Sequence, residues 1–238
     1  MRTFATALLI ASVLAAPAAA GTRNFGVSGF EKIRVDGPYR VRLSTGVAPF
    51  AQATGSSRAV DGVWVEVQGQ TLIVRTNPSS WGGYPGQSAG PVEVTVGTHE
   101  LSSAWLNGSG SLDIDRVKGL KFDLSVEGSG GATIGNADVD QLRVNVVGTA
   151  NAALSGRAGK FTAMVRGLSS LDATGLTATD ATIGAEGGAT VKAQVTNEAT
   201  IDSLGTASVT LAGAPSCTVH AVGSATVTGC KGAGPAGY

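Results

Sequence analysis

A glycine that returns every 18 to 20 residues is the feature that most constrains this fold. The glycines in register are Gly108, Gly128, Gly148, Gly167, Gly187, Gly205 and Gly223. Two positions after each glycine stands a small residue: Gly110, Gly130, Ala150, Ser169, Ala189, Ala207 and Ala225. A period of this length is typical of stacked repeats, in which one unit can bury its apolar side only against its neighbours.

Apolar and polar residues alternate on both sides of these glycines. The apolar positions before the glycine in three of the repeats are Phe122, Leu124 and Val126, then Leu142, Val144 and Val146, then Cys217, Val219 and Ala221. Alternation with period two indicates strands with one buried face. We therefore predict an all-β fold in which residues 101–238 form a parallel β-solenoid with coils of 18–20 residues. Each coil should hold two short strands, and the crossover rule predicts right-handed winding.

Residues 21–100 are rich in β-strand signals but lack the repeat. The predicted strands are 30–35, 39–43, 63–67, 71–74 and 91–96. The first two flank Asp36-Gly37-Pro38 and the next two flank Gln68-Gly69-Gln70, which predicts two β-hairpins. We expect this hairpin-rich portion to begin or cap the solenoid within the same domain.

The first twenty residues have the pattern of a cleaved signal peptide. Arg2 precedes an apolar stretch from Phe4 to Ala16, and small residues come directly before Gly21. The apolar stretch is shorter than the roughly 20 residues of a comfortable membrane span. We expect an exported mature chain from Gly21 without a transmembrane segment; a retained membrane anchor is the alternative.

Two cysteines, Cys217 and Cys230, remain to be assigned. An oxidising compartment permits a disulfide between them. Strand parity does not place both on one face, so two independent thiols are the alternative. No acidic residue lies between them, which disfavours a metal site.

The charge balance and the residue types give little support for catalysis or nucleic-acid binding. Seventeen basic residues offset 17 acidic ones, so the chain lacks the electrostatic footprint of a nucleic-acid-binding protein. Two pairs of carboxylates could project together: Asp113 with Asp115, and Asp138 with Asp140. Without a positioned acid and base, we interpret them as solvated surface acids rather than as a glycosidase pair. We expect no catalytic residue, metal or cofactor.

An aromatic loop is the first candidate for binding. Trp81 and Tyr84 lie in a stretch, residues 77–87, that is rich in glycine, proline and serine. Exposed aromatic rings can stack on sugar rings or anchor a protein partner. The alternative is that both rings pack back onto the solenoid.

A basic surface is the second candidate. Its residues are Lys32, Arg34, Arg40 and Arg42. On the first predicted hairpin they would alternate outward as one face that could meet anionic envelope glycans or lipid headgroups. An evenly solvated surface is the alternative.

The chain resembles the "putative auto-transporter adhesin, head GIN domain" family. The resemblance covers about residues 30–230 and is carried by residues 30–43, by residues 71–74 and by Gly-Ser-Gly corners such as Gly108-Ser109-Gly110. It departs late, at residues 212–215 and 222–225, which differ from the fuller Gly-Ser-Gly-Asp pattern. The resemblance implies a β-solenoid and an adhesin-like role in exported bacterial proteins, and it supplies no catalytic residues.

Three classes of function follow from these features. The favoured one is a non-catalytic, exported β-solenoid for adhesion or interaction with a protein or glycan at the cell envelope, in the periplasm or at the surface. The second is a binding module for envelope polysaccharide that uses Trp81 and Tyr84. A carbohydrate-active enzyme is disfavoured. The sequence leaves the partner and the oligomeric state open.

Overall fold

The computed structural model describes residues 20–80 and 90–232, most of which are in β-strands. The strands of the first hundred residues are β1 (Ala20–Phe25), β2 (Lys32–Asp36), β3 (Arg40–Thr45), β4 (Phe50–Ser56), β5 (Val63–Gln68), β6 (Thr71–Thr76) and β7 (Val92–Thr98). A short helix, α1 (Ser57–Asp61), lies between β4 and β5. The later strands are β8 (Ser103–Gly108), β9 (Ser111–Gly128), β10 (Gly131–Gly148), β11 (Asn151–Gly167), β12 (Ser170–Gly187), β13 (Thr190–Gly205), β14 (Ser208–Ala212), β15 (Ser216–Gly223) and β16 (Thr226–Thr228).

Each of β9 to β13 is one coil of a β-solenoid, which confirms the predicted fold. Neighbouring coils pair in parallel and in the register of the repeat, so that Leu112 lies beside Ala132 and Ala132 beside Ala152. The apolar residues of all coils form one continuous core. The predicted inward residues of β9, β10 and β11 are buried, with Phe122 and Phe161 among the largest fully buried side chains.

The strands form two long ladders that run the length of the molecule. The first ladder runs from β1 through β4, β7 and β3 to the first part of each coil, and ends at β14 and β16. The second ladder runs from β5 through β6, β2 and β8 to the last part of each coil, and ends at β15. The interior lies between these ladders.

Each coil also contains a third segment that the sequence pattern did not predict. Its buried residues include Val117, Val139, Ala158, Leu176 and Val195. Alternation changes phase here, because Ile114 and Val117 both point inward although they are three residues apart. A bend between two strands produces this phase change, and the coil therefore has three inward-facing segments rather than two.

The hairpin predicted around Asp36-Gly37-Pro38 is wrong. β2 pairs in parallel with β6 and β8, whereas β3 pairs in parallel with β7 and β9. Gly37 is a corner between the two ladders, with φ of 121°, and its N–H donates to the carbonyl of Asn107 at 2.9 Å. The turn signal was correct, but it marks a coil corner. The β5–β6 hairpin and the strand at 91–96 are confirmed.

The two ends of the solenoid differ. At the N-terminal end α1 packs against β1, β4 and β5 and buries Ala59 and Val60. At the C-terminal end, the rows of stacked inward-facing residues end at β15. Val219 is 45% exposed although Ile201 beneath it is fully buried, and Ala221 is exposed as well. Val219 and Ala221 keep the predicted inward register, beside the buried Ile201 and Ser203, but they are exposed because no further described strand covers β15.

Among the described residues, no helix has both the length and the apolar character that crossing a membrane requires.

Candidate functional site

The outward side of the second ladder carries the candidate binding surface. Ala104 and Leu106 are buried, so the alternation of β8 directs Trp105 outward, where it is half-buried. Residues in register form a row across neighbouring strands: Arg34, Trp105, Ser125, Asn145 and Met164. Adjacent strands lie about 4.8 Å apart, so this row is a continuous surface. We call this surface the Trp105 face.

Trp105 stands between two shallow depressions and lines both of them. The first has a volume of about 510 Å³ and is also lined by Arg34, Gln68, Thr71, Ile73, Asn107 and Glu127. The second has a volume of about 280 Å³, and its polar lining includes Asp123, Ser125, Arg143, Asn145 and Thr162. Met164 adds an apolar side chain to the second depression. An aromatic ring with amide, carboxylate and guanidinium groups on both sides is therefore open to a ligand.

Hydrogen bonds hold the polar groups around Trp105 in place. Asp36 accepts from the guanidinium of Arg34 at 3.1 Å and from the side-chain amide of Asn107 at 2.7 Å. Asn145 donates to the hydroxyl of Ser125 at 3.3 Å. Within the described part of the chain, the indole N–H of Trp105 has no hydrogen-bond partner, so this donor is available to a ligand.

A second tryptophan lies near the N-terminal edge of the same ladder. Trp64 on β5 is 37% exposed. A hydrogen bond from Trp64 lowers the pKa of Glu66, and Arg75 lowers it further through a contact of 2.8 Å. Glu66 therefore stays ionised at neutral pH beside the Trp64 side chain. This makes Trp64 a useful comparison for Trp105.

The four predicted basic residues do not form one face. Lys32 and Arg34 lie on β2 in the second ladder, whereas Arg40 and Arg42 lie on β3 in the first. Two of the arginines also have acidic partners. Arg34 pairs with Asp36 at 2.9 Å, and Arg42 pairs with Glu93 at 2.9 Å. The expected face depended on the hairpin that the parallel pairing replaces; binding by the individual side chains stays a prediction.

The aromatic loop with Trp81 and Tyr84 lies outside the described residues, and binding by it also stays a prediction. Sequence reasoning missed Trp105, although a signal was present. In Ala104-Trp105-Leu106 a large ring occupies the outward position between two inward residues. A strand that places an aromatic residue on its polar side is a candidate contact point, because no internal packing requires it there.

Cys217 and Cys230 form a disulfide with a Cα–Cα distance of 5.7 Å. Cys217 lies on β15, and Cys230 follows the end of β16. Strand parity does not oppose the bond, because Cys230 is outside the strand. The disulfide connects the last strands of the two ladders.

Two of the four acidic residues considered for catalysis, Asp115 and Asp138, have structural partners. Asp138 is paired with Arg157 at 2.7 Å, and the hydrogen bond from Arg157 lowers the pKa of Asp138. Asp115 accepts from the backbone N–H of Thr45 at 3.0 Å, which fixes the bend after the first segment of β9. In residues 20–80 and 90–232, no three His, Cys, Asp or Glu side chains converge as a metal site would require.

Comparison with known proteins gives one family and several solved structures. The model of the family described as "putative auto-transporter adhesin, head GIN domain" matches residues 29–215. A structure described as a putative adhesin from Bacteroides fragilis is 20% identical, with 88% of this chain and 96% of that chain covered and a TM-score of 0.78. A structure described as a putative lipid binding protein from Parabacteroides distasonis is 18% identical, with 89% and 96% covered and a TM-score of 0.71. A structure described as a putative adhesin from Parabacteroides merdae is 15% identical, with 89% and 96% covered and a TM-score of 0.70.

At these identities the likeness shows a shared fold. A comparison with curated proteins found no match.

Proposed function

This chain belongs to the "putative auto-transporter adhesin, head GIN domain" family, and from that membership we propose that it is an exported, non-catalytic protein for adhesion or interaction at the bacterial cell envelope. It acts in the periplasm or at the cell surface, after removal of residues 1–20. N-terminal sequencing of the protein recovered from an exporting host tests this step, and Gly21 is the expected first residue. A chain that keeps Arg2 contradicts it.

The Trp105 face is the observation that carries the proposed function. A half-buried tryptophan with a free donor stands on a stack of hydrogen-bonded strands, where the side chain loses little freedom on binding. Tryptophan is enriched among residues that dominate binding energy. Side chains on regular strands are also held more firmly than side chains on loops. The surface therefore suits recognition of a partner without a conformational change.

Two of the four carboxylates considered for catalysis are engaged in structural contacts. Asp138 is bound to Arg157, and Asp115 to the backbone of Thr45. A nucleophile or general base needs a partner arranged for proton transfer. We expect that no single Asp, Glu, His or Ser substitution abolishes an activity. Turnover of a polysaccharide that is lost on changing Asp113 or Asp138 would contradict this.

Binding of the purified protein to an isolated envelope fraction tests the role of the face. Trp105→Ala should weaken binding at least about thirtyfold, since loss of a dominant contact costs 2 kcal/mol or more. Trp64→Ala is the matched control and should leave binding unchanged. Unchanged binding by Trp105→Ala with a lowered melting temperature would mean that Trp105 only packs against its neighbours.

The aromatic loop competes with the Trp105 face for this role. The double variant Trp81→Ala, Tyr84→Ala belongs in the same experiment. If the loop is the anchor, this variant loses binding while its melting temperature stays nearly unchanged, and Trp105→Ala binds normally. If the loop packs on the solenoid, the double variant binds normally and melts at a lower temperature.

Binding of an envelope polysaccharide is the second candidate function. The two depressions favour it, because sugar rings stack on aromatic faces, while amide, carboxylate and guanidinium groups form hydrogen bonds with the hydroxyl groups of the sugar. A glycan array probed with the protein and with Trp105→Ala tests this. Flotation with anionic lipid vesicles separates it from lipid binding, the property in the description of the Parabacteroides distasonis neighbour. Binding in flotation alone would exclude the glycan.

A further inference from the structure

Among the described residues, no further coil covers the C-terminal end of the solenoid, and only the disulfide-bonded Cys217 and Cys230 together with Val227 pack partly against the core there. The stacked row that ends at Val219 comprises Leu124, Val144, Ala163, Ile183, Ile201 and Val219. The exposed fraction is 3% or less for the first five and 45% for Val219. Val222, on the other side of β15, is 49% exposed. The end therefore presents the apolar interior of the last coil rather than a polar cap.

The backbone at this end is also available for pairing. β15 pairs with β13 on one side, and β16 pairs with β14. Within the described part of the chain, the opposite edges of β15 and β16 have no strand beside them. An unpaired edge of eight residues offers a row of N–H and C=O groups to an added strand.

Both strands lack the devices that usually protect an edge. Exposed edges normally carry lysine, other charges or proline, which prevent pairing. β15 reads SCTVHAVG and β16 reads TVT, so neither contains Lys, Arg, Asp, Glu or Pro. Terminal repeats of stacked proteins usually need a polar outer face for solubility. An end without such protection is suited to being covered.

We infer that the C-terminal end pairs with the same end of a second copy of this chain, β15 against β15, about a twofold axis. Because neither strand carries Lys, Arg, Asp or Glu, two identical ends can meet without repulsion between like charges. The N-terminal end does not offer a matching surface, because α1 closes it and buries Ala59 and Val60. A contact between identical ends closes at two copies, whereas a head-to-tail contact would continue into a filament.

Analytical ultracentrifugation of the purified protein over a wide range of concentration tests the pairing. The protein should sediment as a dimer, and Val219→Lys should shift it to monomer by weakening association at least about tenfold. Leu120→Lys is the control, because Leu120 is 77% exposed at a corner in the middle of the solenoid. It adds the same charge away from the end and should leave the dimer unchanged. Circular dichroism checks that both variants are folded.

Hydrogen exchange locates the contact independently of the variants. Amides of β15 should exchange more slowly as the concentration rises through the dimerisation range. A monomer at every concentration would overturn the inference and would leave the end to another segment or a different partner. A dimer that Val219→Lys does not affect, a dimer with unchanged exchange in β15, or growth beyond two copies would also overturn it.

Discussion

Val144 illustrates what the stacked core demands of a single residue. It is 3% exposed and lies between Leu124 and Ala163 of the neighbouring coils. We predict that Val144→Asp lowers the free energy of unfolding by at least about 3 kcal/mol, because a carboxylate there is buried without a partner. Thr182→Asp is the control, since Thr182 is exposed between Thr162 and Thr200. Chemical denaturation measures both, and similar losses would contradict the burial argument.

The ion pair between Asp138 and Arg157 gives a prediction about pH. The hydrogen bond from Arg157 is the main cause that lowers the pKa of Asp138 below its ordinary value of 3.8. A lowered folded-state pKa stabilises the protein above the unfolded value, and this contribution is lost as pH falls through the folded value. We predict that Arg157→Gln raises the pKa of Asp138 toward 3.8.

Carboxyl NMR titration measures this change, and Asp172 is the internal control. The pKa of Asp172 is lowered by hydrogen bonds from Thr174, which Arg157→Gln leaves in place. The stability difference between the two proteins should be present at neutral pH and disappear in acid below the folded pKa of Asp138. Titration of Asp138 at an unchanged pKa in the variant would mean that Arg157 does not bind it in solution.

At the scale of the element, the coil corners depend on a column of stacked glycines. Gly148 has φ of 102°, and a Cβ there would approach the carbonyl oxygen of Gly128 to 2.5 Å. Gly119 has φ of 145°, but a Cβ added to it would meet no atom within 4 Å. We predict that Gly119→Ala costs about 1 to 2 kcal/mol from backbone strain alone, and that Gly148→Ala costs a further 1 to 3 kcal/mol, approximately, from the clash. Equal losses in thermal unfolding would show that close stacking is unimportant.

The sequence predicted the coils well and the connections between strands less well. The apolar pattern of Phe122, Leu124 and Val126 recurs in the next coil with the same spacing, so the burial of these residues could be predicted from periodicity. Val117 was missed because its segment is too short to show alternation. The turn at Asp36-Gly37-Pro38 was identified, but a local signal does not reveal whether the flanking strands pair with each other or with distant strands. That choice depends on contacts between residues about 70 positions apart, such as Asp36 with Asn107.

At the scale of the whole molecule, the candidate binding surface was the least predictable feature. Trp105 becomes a candidate because parallel pairing brings Arg34, Asn107 and Glu127 to the same depression. These residues come from separate strands, and their proximity follows from the ladder order rather than from any motif. Local sequence patterns instead predicted Trp81, Tyr84 and the four basic residues as binding candidates. The structure divides those basic residues between two ladders.

The stack also predicts that stability varies along the molecule. Each coil contacts only its neighbours, so the last coil, with one neighbour, should open at a lower free-energy cost than the central coils. The disulfide between Cys217 and Cys230 counteracts this by closing a loop of 13 residues, which corresponds to about 3 kcal/mol in the chain-entropy model.

We predict that the double variant Cys217→Ser, Cys230→Ser accelerates hydrogen exchange in β15 and β16 and leaves β10 and β11 unchanged. The measurement belongs at concentrations where the protein is monomeric, so that association at this end does not mask the effect. The central coils serve as the internal control: equal acceleration in β10 would mean that the solenoid unfolds as one cooperative unit rather than from its open end.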